Sequence, residues 1–209
     1  MSGEEPRRRF HRPTLRPPDR LEDASEQVDP LEVAEAAHRS AELVVGRGRA
    51  ESAQDSELAS RLVGLVGEVG LATVAQLWSD RPARSLPGAL WRIYLLHEWV
   101  LRQPEEVGRR FVAGSGHTEV YHAIAGVAEP PDPDALRRLT EQVLGGVFTG
   151  DLAIALERAS AFCHVMAVGL ADPGDDDIPS EQVTRAARLR DTADDLAACA
   201  GLWRLGDLH

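Results

Sequence analysis

Two stretches of this chain are apolar on almost every side of a helix, and they leave few ways for it to fold. One is Leu90-Trp91-Arg92-Ile93-Tyr94-Leu95-Leu96-His97-Glu98-Trp99-Val100-Leu101; the other, residues 152–170, carries Leu152, Ile154, Leu156, Phe162, Val165, Met166 and Val168. A helix with no polar face has to be enclosed by other elements in water. No sustained alternation of period 2 bounded by turn residues occurs anywhere, which argues against a sheet. The expectation is an all-α fold: a single globular domain of eight or nine helices, with these two stretches as largely buried central helices.

Start and stop signals place the remaining elements. Asp29-Pro30, with Glu32 three positions after Asp29 and Gly46 beyond, predicts a helix over about 30–45. Between Ser56 and Trp78, Leu58, Leu62, Leu65, Val66, Val69, Val74 and Leu77 recur at helical spacing, with Gly70 as a break between two helices. Pro82 and Pro87 bracket a loop. Pro104 opens a short helix with Glu105 and Glu106 at its positive end and Arg109 and Arg110 later, the order the macrodipole favours. Gly114-Ser115-Gly116 ends it, and Thr118 caps another short helix through Ile124. Asp132-Pro133 begins a helix with Leu136, Leu139, Val143, Leu144 and Val147 on one face, and Pro179-Ser180 begins the last. No 34- or 40-residue period supports a solenoid. Residues 29–209 are enough for one domain that buries roughly 70% of its unfolded surface. Residues 1–28, with Pro6, Pro13, Pro17 and Pro18 and few apolar side chains, are expected to be a disordered tail.

Composition bears on partners. The chain has no Lys and no Asn, so all 23 of its basic residues are Arg, as very GC-rich coding would produce. Its net charge of −11 is unevenly spread, with +3 on residues 1–20 and −14 on the rest. A body that acidic repels phosphate backbones, which leaves the tail residues Arg7, Arg8, Arg9, Arg12 and Arg16 as the one part suited to a polyanion or an acidic protein. The longest apolar run is shorter than the ~18 residues that span a bilayer, and the N-terminus is charged where a signal peptide is apolar. A cytoplasmic protein with no membrane partner is therefore expected. Cys163 and Cys199 form neither a disulfide scaffold nor a C-x-x-C pair.

Few residue patterns carry chemistry. Glu119 and His122 form an E-x-x-H that puts a carboxylate and an imidazole on one helix face, but di-iron bundles need two such motifs on different helices plus a lone Glu on each of two others, about six protein ligands in all. These two remain weak metal candidates, and no metal or cofactor is expected. His97-Glu98 and Cys163-His164 are sequence neighbours, which a helix turns apart by about 100°. The loop Asp172 to Asp177 lacks the alternate ligand spacing of an EF-hand. There is no G-x-S-x-G, Walker A or G-x-G-x-x-G pattern. Residues 58–78 resemble a helix-turn-helix, with Gly70 at the turn, yet the side chains available to base edges are Thr73 and Gln76, and no basic residue lies between Arg61 and Arg81. Gly64, Gly67 and Gly70 recur every three residues and would suit a close helix approach. That strip, Trp99 or Trp203 could serve a homodimer face.

The segments Leu86-Pro87-Gly88-Ala89-Leu90-Trp91-Arg92-Ile93-Tyr94-Leu95-Leu96, Gly126-Val127-Ala128-Glu129-Pro130-Pro131 and Ala155-Leu156-Glu157-Arg158-Ala159-Ser160-Ala161-Phe162-Cys163 resemble an uncharacterised family of small all-helical proteins from high-GC actinobacteria. The likeness spans residues 31–170. It implies a source and a transcription-related label borne by some members, and it supplies no catalytic residues. The leading expectation is a non-enzymatic protein-interaction or regulatory module with a basic arm. The alternatives are a transcription-associated DNA binder using residues 58–78 and a helical enzyme with a metal or small-molecule site lined by His97, Glu98 or His164.

Overall fold

The computed structural model describes residues 29–46, 71–126, 133–149, 152–171 and 179–209. The basic tail and Gly64, Gly67 and Gly70 lie outside the described residues, as do residues 58–70 of the helix-turn-helix-like segment. Within them the chain is all-helical, in the order α1 (Pro30–Gly46), α2 (Leu71–Gln76), α3 (Leu86–Arg102), α4 (Pro104–Ser115), α5 (Glu119–Ala125), α6 (Pro133–Thr149), α7 (Leu152–Ala171) and α8 (Ser180–Leu205). Six of these run for twelve residues or more, while α2 and α5 are short segments. The expectation of eight or nine helices therefore exceeds the six full-length ones, because it counted one- and two-turn segments as equals.

The core forms around α7. Fourteen of its twenty residues are buried, from Leu152 to Leu170, and it packs against α8, α4, α5 and α6, and to a lesser extent α3. By length and composition α7 could cross a membrane, but it is mostly buried inside the fold. This corrects the expectation that no apolar run is long enough. Glu157 and Arg158 interrupt the run in sequence, yet both reach its edge: Glu157 accepts from Arg204 at 2.6 Å, and the Arg158 Nε donates to the Ala125 carbonyl at 3.2 Å.

The second apolar stretch behaves differently. In α3, Ile93, Leu96 and Val100 are buried, but Leu95 and Leu101 are exposed and Trp91 and Trp99 only half-buried. Helix α3 is therefore less fully enclosed than α7, although it touches α6, α1, α4, α8, α2 and α7. Helix α3 also begins earlier than expected. Ser85 is its N-cap, accepting from the Gly88 N–H at 3.2 Å while donating to the Pro82 carbonyl at 2.8 Å. Pro87 thus stands in the first turn, where its missing N–H has no partner to lose, and not in a loop. The Leu86 N–H is satisfied from far along the chain by the His209 carbonyl at 2.8 Å. That contact depends on Gly206, whose φ of +79° ends α8 in a left-handed cap and turns Leu208 into the core.

Two polar links cross the core. Trp78, fully buried, donates its indole N–H to Ser40 Oγ at 3.0 Å, and Ser40 donates to Ala37 O, which fastens the segment after α2 to α1. Ser160 donates to the Ala193 carbonyl at 2.8 Å and joins α7 to α8.

The tightest contact is backbone against backbone. A Cβ at Gly114 would land on the carbonyl oxygen of Val165, and one at Gly169 on the carbonyl oxygen of Arg110. These two glycines let α4 and α7 cross without side chains between them, next to the stacked, fully buried rings of Phe111 and Phe162, 5.6 Å apart. Gly114 was expected only to help end a helix. Replacing Gly169 with Ala is expected to destabilise the fold by about 1–3 kcal/mol, since backbone and not a pliable side chain stands in the way. Gly201→Ala, on an exposed position of α8 where a Cβ meets nothing within 4 Å, should instead stabilise by up to ~1 kcal/mol. Urea midpoints that move in opposite directions would establish the contrast.

Candidate functional site

Helices α7 and α8 are joined by the bond from Ser160 to the Ala193 carbonyl and pack more extensively than any other pair among the described residues. In the space between them, closed on one side by the turn after α4 and by α5, lies a cleft of about 620 Å³. Its floor is built from small side chains, Ala167 and Ala171 on α7 and Ala186 and Ala187 on α8. Alanine serves the close packing of the two helices and leaves the space above their seam unfilled.

The wall is aromatic. The Tyr121 ring, projecting from α5, stacks on the His164 imidazole of α7 with centroids 4.3 Å apart and planes 25° from parallel. Helix α5 is held there from its other end, where Arg158 donates to Ala125 O and to Gln142 Oε1 across the left-handed Gly126. Thr118 donates back to the Gly114 carbonyl at 2.8 Å and satisfies an acceptor at the end of α4.

His164 is the one largely buried titratable ring of the site. Its Nε2 lies 3.6 Å from Oδ1 of the mostly exposed Asp194, too far for a hydrogen bond. Burial pushes its pKa below the ordinary value; Asp194 opposes the shift and Arg190 adds to it. At neutral pH the ring is therefore uncharged and stacks as a neutral imidazole. Arg190 and Asp191 complete the rim, and neither has an ion-pair partner among the described residues.

The residues singled out from sequence are scattered. Glu119 and His122 sit three apart on α5, but their side chains lie outside the described residues. His97 approaches Thr140 Oγ1 at 3.3 Å beside a hollow lined by Ala159 and Phe162, whereas His164 faces the α5–α8 cleft, so the two imidazoles do not meet. Glu98 pairs with Arg102 on the surface. Among the described residues no group of three or more His, Cys, Asp or Glu side chains is placed to hold a metal. Cys163 turns inward, away from His164, and burial pushes its thiol up to about 12; burial likewise takes Cys199 to about 11. Both are protonated and poor nucleophiles at neutral pH. Of the helix-turn-helix-like segment, Thr73 and Gln76 are exposed, while Ala75 and Trp78 are buried. Trp99 is half-covered, with the Arg185 guanidinium 5.3 Å above its ring.

Tyr121, Arg190 and Asp191 were missed. Tyr121 stands inside the Glu119–His122 motif itself, but its partner is 43 positions away, and nothing local marks that pairing. Comparison of the chain with protein-family models, with curated proteins and with solved structures finds no match.

The state of His164 has a consequence for stability. Its folded pKa is depressed below the model-peptide 6.5, so the unfolded chain takes up the proton first. Stability is expected to fall as the pH drops through about 6.5 toward the folded value. Glu157, whose pKa is lowered chiefly by the hydrogen bond from Arg204, adds a further loss only below its ordinary 4.5. Urea unfolding between about pH 7 and 5.5 should show a decline that His164→Gln flattens; an identical decline in the variant would remove His164 from this account.

Proposed function

We propose that this chain is a non-enzymatic protein-interaction or regulatory module whose partner docks over α5 and the mouth of the adjoining cleft. The observation that carries this reading is a group of large apolar side chains left in water there. Val120 is 71% exposed, Val183 51%, Ile124 47% and Tyr121 40%. Tyr121 and Val183 both line the cleft, Val120 and Tyr121 share the adjoining hollow, and Ile124 lies one turn further along the same short helix. Isolated exposed aliphatics are ordinary, but a cluster around a concave surface is the usual mark of a contact site.

The sequence adds an arm. Arg7, Arg8, Arg9, Arg12 and Arg16 precede a body of charge −14, and in this reading they attract an acidic region of the partner or a nucleic acid bound with it. Attraction of that kind accelerates encounter and weakens with salt, whereas the apolar surface sets how long the complex lasts. The division of labour makes two separable predictions.

The double variant Val120→Asp/Ile124→Asp should fold as the parent does, because both side chains face solvent, and should lose about tenfold or more in partner retention on a column of immobilised full-length protein. Deletion of residues 2–28 should leave retention at high salt unchanged and lower it at low salt. A partner held equally by the parent and the double variant would place the docking surface elsewhere.

A further inference from the structure

We propose that the cleft between α5, α7 and α8 is a binding site for a small aromatic zwitterion, a molecule that joins a planar ring to a neighbouring ammonium and carboxylate, of which the aromatic amino acids are the simplest. The inference goes beyond protein docking and does not depend on it.

Shape is the first argument. A volume of about 620 Å³ falls within the roughly 300–1,000 Å³ of small-molecule sites. The other hollow near a histidine, between Ile93, Leu139, Thr140 and Phe162, holds about 10 Å³ and admits no more than a water. Beside the half-buried Ala171 and the exposed Ala187, a flat apolar group would cover surface that the protein leaves wet.

The second argument is the wall. Tyr121 lies against His164 and still keeps 40% of its surface exposed, so ring surface remains for a third aromatic group in line with the pair. Such stacking favours a planar ring over an aliphatic chain of equal area. A neutral imidazole behind Tyr121 leaves the stack without a formal charge and places no preference on the sign of the ligand.

Charge supplies the third. Arg84, Arg102, Arg137 and Arg204 are each paired with a carboxylate. Arg190 and Asp191 have no such partner among the described residues, although they are neighbours of opposite charge on the rim of one cavity. Consecutive residues of a helix point about 100° apart, so they do not neutralise each other. A lone carboxylate would meet Arg190 but also the fields of Asp191 and Asp194; a lone ammonium would meet Asp191 but also Arg190. A zwitterion is matched to both and carries no net charge into the site. A phosphate dianion fits poorly, since the single guanidinium of Arg190 shares the rim with the carboxylate of Asp191, and no glycine-rich loop of backbone donors lines it.

Three indoles test the idea on the full-length chain: L-tryptophan, 3-indolepropionate, which lacks the ammonium, and tryptamine, which lacks the carboxylate. Titration calorimetry should show tryptophan binding with a Kd near or below roughly a millimolar, tighter than either analogue by about threefold, as expected for partly exposed charge pairs. Tyr121 and His164 ring resonances should shift on saturation. Arg190→Gln should erase the advantage over tryptamine and keep that over 3-indolepropionate; Asp191→Asn should do the reverse. Ala187→Trp, which fills the cleft from an exposed helical position, should abolish binding of all three, with its helical circular dichroism unchanged. Absence of tryptophan binding at several times that concentration, equal binding of the three indoles, or binding that survives Ala187→Trp would overturn the proposal. Because Val120 and Ile124 take no part in these measurements, failure here leaves the docking surface standing, and the converse holds as well.

Discussion

Everything in this fold is arranged to enclose one helix. With Leu152, Leu156, Phe162, Val165, Met166 and Leu170 all at most 2% exposed, α7 has only a narrow edge, at Ile154 and Glu157, to show to water, and its burial requires neighbours on most flanks. Helices α4, α5, α6 and α8 supply them. Burying side chains of this size stabilises by about 1.5–3 kcal/mol each, several times what surface pairs such as Arg84–Asp195 contribute. The ion pairs decorate a fold that the enclosure of α7 has already determined.

Enclosure at such density needs close approach, and the chain achieves it in two ways. Against α4, a reciprocal pair of glycines removes side chains altogether, so that the Gly114 and Gly169 backbones meet the opposing carbonyls. Against α8, alanines and Ser160 give a near approach fixed by the bond from Ser160 to Ala193 O. The first contact tolerates no added atom. The second keeps side chains between the backbones, and the cleft lies beside it.

How much of this was legible in the sequence follows from the range of the interactions. Elements marked by local rules came out close to their observed places: Pro30 and Gly46 bound α1, Pro104 opens α4, Pro133 opens α6, and Ser180 follows the Pro179 N-cap of α8. Local signals also misled where one residue serves two ends. Pro87 reads as a loop proline until Ser85 is seen capping the helix around it, and that helix start is completed by His209, more than a hundred residues away. The apolar character of residues 90–101 could not show which flank would stay open, because that depends on how many neighbours are left once α7 has been surrounded. The candidate site was less legible still. His164 was noted as a polar side chain that could line a pocket, but the stack with Tyr121 and the rim of Arg190 and Asp191 arise only when three helices meet.

The cleft and the close packing therefore share a cause. Alanine at 167, 171, 186 and 187 lines the cleft, and side chains that short leave open the space between α5, α7 and α8. Elsewhere such a gap is sealed by another full helix. Here the neighbour is α5, seven residues long, which is fastened by Arg158 at one end and by the Tyr121 stack near the other and covers one side of the hollow only. A longer helix there, or leucine in place of any of the four alanines, would have closed the space and added apolar burial. The fold forgoes that gain of roughly 1 kcal/mol or more per residue, and at the same place it leaves apolar side chains in water and opposite charges without an ion-pair partner among the described residues. Those three departures from what stability alone favours coincide at one site.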